Sequence, residues 1–104
     1  MNKYLRDGKV AVLYSPGFGA GWYSWNKDFP QCLFDPIMVQ WVLDGKVGAL
    51  PESWLEYTKE DHFYPGGAMV LQVEWLQPNT QFRIDEYDGS ECIIEMLPQN
   101  YITA

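Results

Sequence analysis

Val10-Ala11-Val12-Leu13-Tyr14 runs directly into Ser15-Pro16-Gly17-Phe18-Gly19-Ala20-Gly21-Trp22-Tyr23-Ser24-Trp25-Asn26. How this stretch is read decides the rest of the fold. Its first five residues are apolar with no polar alternate, the pattern of a strand covered on both faces. The next seven carry three glycines. Glycine takes positive φ freely and lets another group approach the backbone closely, so a tight, shaped loop is expected. Two tryptophans, a tyrosine and an asparagine follow. Aromatic faces stack on flat ligands, and an amide both donates and accepts hydrogen bonds. Two readings result: the aromatics cap the core, or the loop forms a ligand pocket.

Working outward, Asp7-Gly8 is a hairpin dipeptide that would fold Tyr4-Leu5-Arg6 back on Lys9-Val10-Ala11. The alternative is a loosely ordered extension over residues 1–8. Downstream, Asp35-Pro36 marks a helix start, since aspartate caps free amides and proline suits the first turn. Ile37, Trp41 and Val42, flanked by Met38, give that helix an apolar face, and Gly45 ends it. Leu50-Pro51-Glu52-Ser53 opens a second helix, stopped by Phe63-Tyr64-Pro65-Gly66-Gly67. Met69–Leu76 reads as a strand, Gln77-Pro78-Asn79-Thr80 as a turn, and Gln81–Tyr87 as an alternating strand. In that strand Phe82 and Ile84 share one face, with Arg83, Asp85 and Tyr87 on the other. Asp88-Gly89-Ser90 turns the chain into Glu91–Met96. The expected fold is α+β: one domain over residues 1–104, a small antiparallel-rich sheet joining the first strand to this meander, and two short helices on one face.

The 104 residues carry a net charge of −7, 47% hydrophobic residues, five Trp and seven Tyr. The acid excess argues against nonspecific nucleic-acid binding, which needs cations for phosphates, and against anionic membranes. The start Met1-Asn2-Lys3-Tyr4-Leu5-Arg6-Asp7 has no apolar signal region, and no run reaches membrane-spanning length, so a cytoplasmic protein with reduced Cys32 and Cys92 is expected. His62 is the only histidine, without a ligand set for zinc, so neither metal nor cofactor is assigned. So many large rings exceed what one small core hides, which predicts a homo-oligomer, most simply a two-fold dimer with the aromatic loop near its boundary.

Gly17-Phe18-Gly19-Ala20-Gly21 is neither a P-loop nor a dinucleotide fingerprint, because no Gly-Lys-Ser/Thr ends it and the spacing differs. Its amides can still form an anion-binding nest. The candidate ligand-binding residues are Ser15, Gly17, Gly19, Gly21, Trp22, Tyr23, Trp25, Asn26, Arg83, Glu86 and Asp88. The loop would cradle phosphate or polar groups, Trp22, Tyr23 and Trp25 would stack on a base, and Asn26 would read its edge. Arg83 either holds negative charge or forms a surface bridge to Asp85. Asp85, Glu86, Asp88, Glu91 and Glu95 are read as a solvated edge, with ribose acceptors, a magnesium site or a patch for a basic partner as alternatives. No Ser-His-Asp order and no nucleophile motif occur, so no catalytic residue is assigned and a non-enzymatic binder is expected. A small enzyme acting on a nucleotide is the weaker alternative.

The Lys9–Asn26 block, Tyr64-Pro65-Gly66-Gly67, Val73-Glu74-Trp75-Leu76 and Phe82-Arg83-Ile84-Asp85-Glu86-Tyr87-Asp88-Gly89-Ser90-Glu91 together resemble a family of small phage and prophage proteins. The resemblance spans most of the chain beyond residue 8. It implies a phage setting, in which small acidic proteins counter host immunity. It carries over no activity and no catalytic residue. In that setting the expected role is a sponge for a nucleotide-derived immune signal. The alternative is an acidic inhibitor of a host defence protein or nucleic-acid-binding protein.

Overall fold

The strands around the glycine loop form two antiparallel sheets, not the single sheet expected from the meander. The computed structural model describes residues 2–19, 21–52, 63–64 and 66–96. Strands β1 (Leu5–Arg6), β2 (Lys9–Tyr14) and β3 (Gln72–Leu76) make one sheet in the order β1-β2-β3. Strands β4 (Phe82–Tyr87) and β5 (Ser90–Glu95) form a separate hairpin. One α-helix, α1 (Pro36–Leu43), and two 3-10 turns at Pro30–Leu33 and Ala68–Val70 complete the described elements. The fold is α+β. The second helix expected from Leu50 onward falls on residues 53–62, outside the described residues.

Both Asp-Gly dipeptides do what their chemistry predicts. Asp7 and Gly8 have φ of 53° and 76°, Asp88 and Gly89 of 50° and 86°. Two successive positive φ values close a two-residue hairpin, here with Arg6 opposite Lys9 and Tyr87 opposite Ser90. Leu5 and Arg6 therefore pair with Val10 and Lys9 in a hairpin. Tyr4 anchors it, its hydroxyl donating to Gln40 Oε1 at 2.8 Å and its ring lying 6.0 Å from that of Trp75.

β2 is buried on both faces because it separates two apolar clusters. Ala11 and Leu13 enter the larger one with Trp22, Met38, Val39, Trp41, Phe63 and Leu71. Val12 enters the smaller one with Leu33 and Leu76, covered by Phe82, Ile84 and Ile93 from the hairpin. This explains the split into two sheets. The Val12–Leu76 face needs a cover, and the hairpin lies across it instead of extending the sheet edge. The turn between them has Thr80 N–H donating to the Gln77 carbonyl at 3.1 Å and Asn79 at φ 67°, and it carries the chain from one layer to the other.

Helix α1 begins as predicted: Asp35 Oδ1 accepts from the Ile37 and Met38 amides at 2.9 and 3.0 Å. It ends with the Gly45 N–H on the Val42 carbonyl and the Lys46 N–H on that of Trp41. Most of its expected inward face holds: Met38 and Trp41 are buried and Val42 packs against the larger cluster, but Val39 is buried as well and Ile37 is 55% exposed. With only eight residues, the helix presents about two turns, too few positions for the apolar pattern to separate Ile37 from Val39.

Candidate functional site

The loop does build an anion-binding nest, and the chain itself supplies the anion. The Glu91 side chain is 3% exposed. Its Oε1 accepts the Ser15 N–H at 2.8 Å. Its Oε2 accepts the Trp22 N–H at 3.0 Å, the Ser24 N–H at 2.7 Å and the Ser24 hydroxyl at 2.7 Å. The Glu91 N–H also donates to the Ser15 carbonyl at 2.7 Å. A carboxylate surrounded by aligned donors replaces its lost hydration with fixed hydrogen bonds, the condition for burying charge. The glycines shape this nest while their neighbours donate to it. A side chain at Gly21 would place its Cβ 2.7 Å from Trp25 Cγ, so any other residue there would have to displace the indole. Gly17 packs against Val70, and the Gly19 N–H donates to the Asp88 carbonyl.

Several residues expected to meet a ligand are structural instead. Trp22 has no exposed surface. Its ring meets Phe63 edge-on at 5.4 Å, and its Nε1 donates to the Cys32 carbonyl at 2.8 Å. Neither indole face is open to a base. Tyr23 packs against both apolar clusters. Ser15 is buried, and among the described residues its hydroxyl has no partner. The buried Asn26 reads no ligand edge: its amide donates to the Trp22 carbonyl at 2.6 Å and the Tyr64 carbonyl at 2.8 Å, and accepts the Tyr64 N–H. It staples residues 63–64 to the loop.

A different surface forms above the nest. Phe18 and Tyr87 are 72% and 78% exposed, yet their rings meet edge-on at 6.4 Å. Trp25 and Tyr64 make a second exposed pair at 5.0 Å. Glu86 ties this pair to the hairpin, its Oε2 accepting Trp25 Nε1–H at 3.2 Å and the Gly89 N–H at 2.6 Å. The Tyr64 hydroxyl reaches the Gly19 carbonyl at 3.4 Å, and Ser90 Oγ donates to the Pro16 carbonyl at 2.7 Å. Phe18, Asp85, Glu86, Tyr87, Ser90 and Cys92 line an open cleft of about 290 Å³ beside Glu91. Of the expected binding residues, the structure thus groups Trp25 and Glu86, while Asp88 is exposed at the hairpin turn, its carbonyl accepting the Gly19 N–H. The structure adds Phe18, Tyr64 and Tyr87, which the sequence reading did not select.

Electrostatics on this face are acidic. Arg83 is tied to Asp85 through Nε at 2.7 Å and Nη2 at 3.3 Å. The hydrogen bond from Arg83 holds the Asp85 carboxyl below its ordinary range and raises the guanidinium in turn. Burial pushes the Cys32 thiol far up, with Glu91 and Asp35 adding to it, whereas Cys92 is exposed. Among the described residues no three His, Cys, Asp or Glu side chains are placed to hold a metal ion, and no helix is long and apolar enough to cross a membrane. No family model, curated protein or solved structure matches this chain.

Proposed function

We propose that this chain is a binding protein that engages a basic protein partner through the face of Phe18, Trp25, Tyr64 and Tyr87. One observation carries the reading: four exposed rings are held in place beside Asp85 and Glu86, with the exposed Asp88 at the adjoining turn, and the anion nest beneath is already filled by Glu91. Fixed aromatic rings ringed by charge are the make-up of interface hot spots, and their acidic border selects a cationic surface. In the phage setting that the sequence resemblance implies, such a partner is a host defence or nucleic-acid-binding protein.

The test starts from a bacterial protein retained on the immobilised chain and then purified. Its association rate should fall steeply with salt. Phe18→Ala, Tyr87→Ala and Asp88→Asn should each weaken the complex while leaving the far-UV spectrum unchanged. Wild-type affinity in both aromatic variants would sink the reading.

A second reading, the nucleotide sponge, draws support from Trp25, whose exposed indole lies beside the Glu86 carboxylate. That pairing would stack a base and accept ribose hydroxyls, but its phosphates would need donors other than the Glu91 nest. Calorimetry with cyclic and ADP-ribose-type nucleotides decides it: heat lost in Trp25→Ala supports the sponge, and no heat with any of them removes it.

A further inference from the structure

β4 is the outer strand of its hairpin, and the direction of its backbone groups follows from the ladder. The Met96 N–H donates to the Gln81 carbonyl at 2.7 Å, and the register places Phe82 opposite Glu95. Antiparallel pairs alternate between hydrogen-bonded and non-hydrogen-bonded. Gln81–Met96, Arg83–Ile94, Asp85–Cys92 and Tyr87–Ser90 are therefore the bonded pairs. The backbone groups of Phe82, Ile84 and Glu86 point away from β5. The other strand supplies a check: Glu91 sits opposite Glu86, so its N–H must also face outward, and it donates to Ser15. Thus β5 is covered by the loop. Among the described residues nothing pairs with the backbone of Phe82, Ile84 or Glu86.

We propose that this edge pairs antiparallel with the same edge of a second copy, across a two-fold axis at Ile84. In that register Ile84 faces the second copy's Ile84, and Phe82 faces its Glu86. All of these residues present outward backbone groups, so each pair exchanges hydrogen bonds. Arg83 faces the second copy's Asp85, and the reverse, so two cross-strand ion pairs form on the outer surface. The charges select this register. Sliding by two residues one way opposes Arg83 to Arg83, and the other way Asp85 to Asp85, and like charges directly opposite are destabilising. Sliding by one residue sets outward groups against inward ones and makes no ladder. Opposite charges two apart on one strand, with an apolar residue between, make that strand complementary to itself. The surface is isologous, as a closed dimer requires. This pairing does not rest on the proposed partner-binding role, although both use Asp85 and Glu86.

Sedimentation over a range from about 1 to about 100 μM reads the assembly, because self-association is concentration-dependent. Wild type should reach twice the 12.1 kDa chain mass. Arg83→Asp opposes two pairs of acids and Asp85→Arg two pairs of bases, so each alone should weaken the dimer at least about tenfold. An equimolar mixture of the two variants should associate again, and so should the double swap Arg83→Asp/Asp85→Arg. The Ile84 and Glu86 amides should exchange slowly at high concentration and quickly at low. A wild-type monomer throughout, a dimer indifferent to both single variants, or a mixture that stays monomeric would each overturn the proposal. If a variant fails to fold, the wild-type amide pattern decides alone: Ile84 exchange independent of concentration refutes it.

Discussion

Replacing Glu91 tests whether its carboxylate organises the glycine loop. In Glu91→Ala the N–H groups of Ser15, Trp22 and Ser24 lose their acceptor together. Two of these groups are fully buried, and an unsatisfied buried donor costs about 1–3 kcal/mol. The losses are not independent, because water entering the vacated space meets more than one donor. The expected destabilisation is about 4 kcal/mol, a large share of the ~5–15 kcal/mol typical of a domain. Glu91→Gln separates charge from shape. Its one carbonyl oxygen can serve the three Oε2 donors, but its NH₂ then faces the Ser15 N–H. About 2 kcal/mol is expected, from one lost bond and weaker neutral bonds at the others. Urea unfolding followed by circular dichroism and tryptophan fluorescence gives both values. Added acetate should raise the midpoint of Glu91→Ala more than that of wild type, since a ligand that binds only the folded state stabilises it. A Glu91→Ala variant within about 1 kcal/mol of wild type would refute the reasoning, because no arrangement leaving three donors unpaired is that cheap.

Three further outcomes follow from the same geometry. Asn26→Ala removes the acceptor for the Tyr64 N–H and two donated bonds; about 2 kcal/mol is expected in the same urea assay, and a loss under about 0.5 kcal/mol would contradict the staple. Gly21→Ala drives a methyl into the Trp25 ring, so a cost of about 1–3 kcal/mol and a shifted Trp25 indole NMR signal are expected; an unmoved signal refutes the close approach. With an aromatic disulfide reagent, exposed Cys92 should react fast, whereas buried Cys32, its thiol held protonated, waits for unfolding. Two fast thiols in the native protein would contradict the burial of Cys32.

Much of the fold was legible because its signals are local. The Asp-Gly turns, the Asp35-Pro36 start, the Gly45 stop and the uninterrupted apolar β2 each depend on a few neighbouring residues. The layering was not legible, since whether Gln77–Gln81 closes a hairpin or crosses between sheets depends on which apolar face needs a cover. Ile37 was misplaced because a two-turn helix offers too few positions to fix a stripe. At the site, the nest was legible in the glycines but its occupant was not. A signal for Glu91 did exist. The two-residue Asp88-Gly89 turn sets Ile84 opposite Ile93 and Glu86 opposite Glu91, which puts Glu91 on the inward face. Grouped with its acidic neighbours, it looked like part of a solvated edge. Trp22 and Asn26 have the chemistry of ligand contacts, and only tertiary packing shows that a ring and a backbone carbonyl of the same chain take their place.

The Glu91 contacts also fix when the loop acquires its shape. Its donors at Ser15, Trp22 and Ser24 lie 76, 69 and 67 residues upstream, so most of the chain intervenes between the nest and what fills it. During synthesis at about 5–20 residues per second, about 3–13 s separate the emergence of Ser24 from that of Glu91. Through that interval the nest amides have only water as partner, and the apolar surface of Trp22 has no settled cover. Contacts so distant in sequence come late and are slow to close. Until the last hairpin docks, the loop of the nascent chain lacks the carboxylate that pairs its amides, and a chain cut short before residue 91 never gains it.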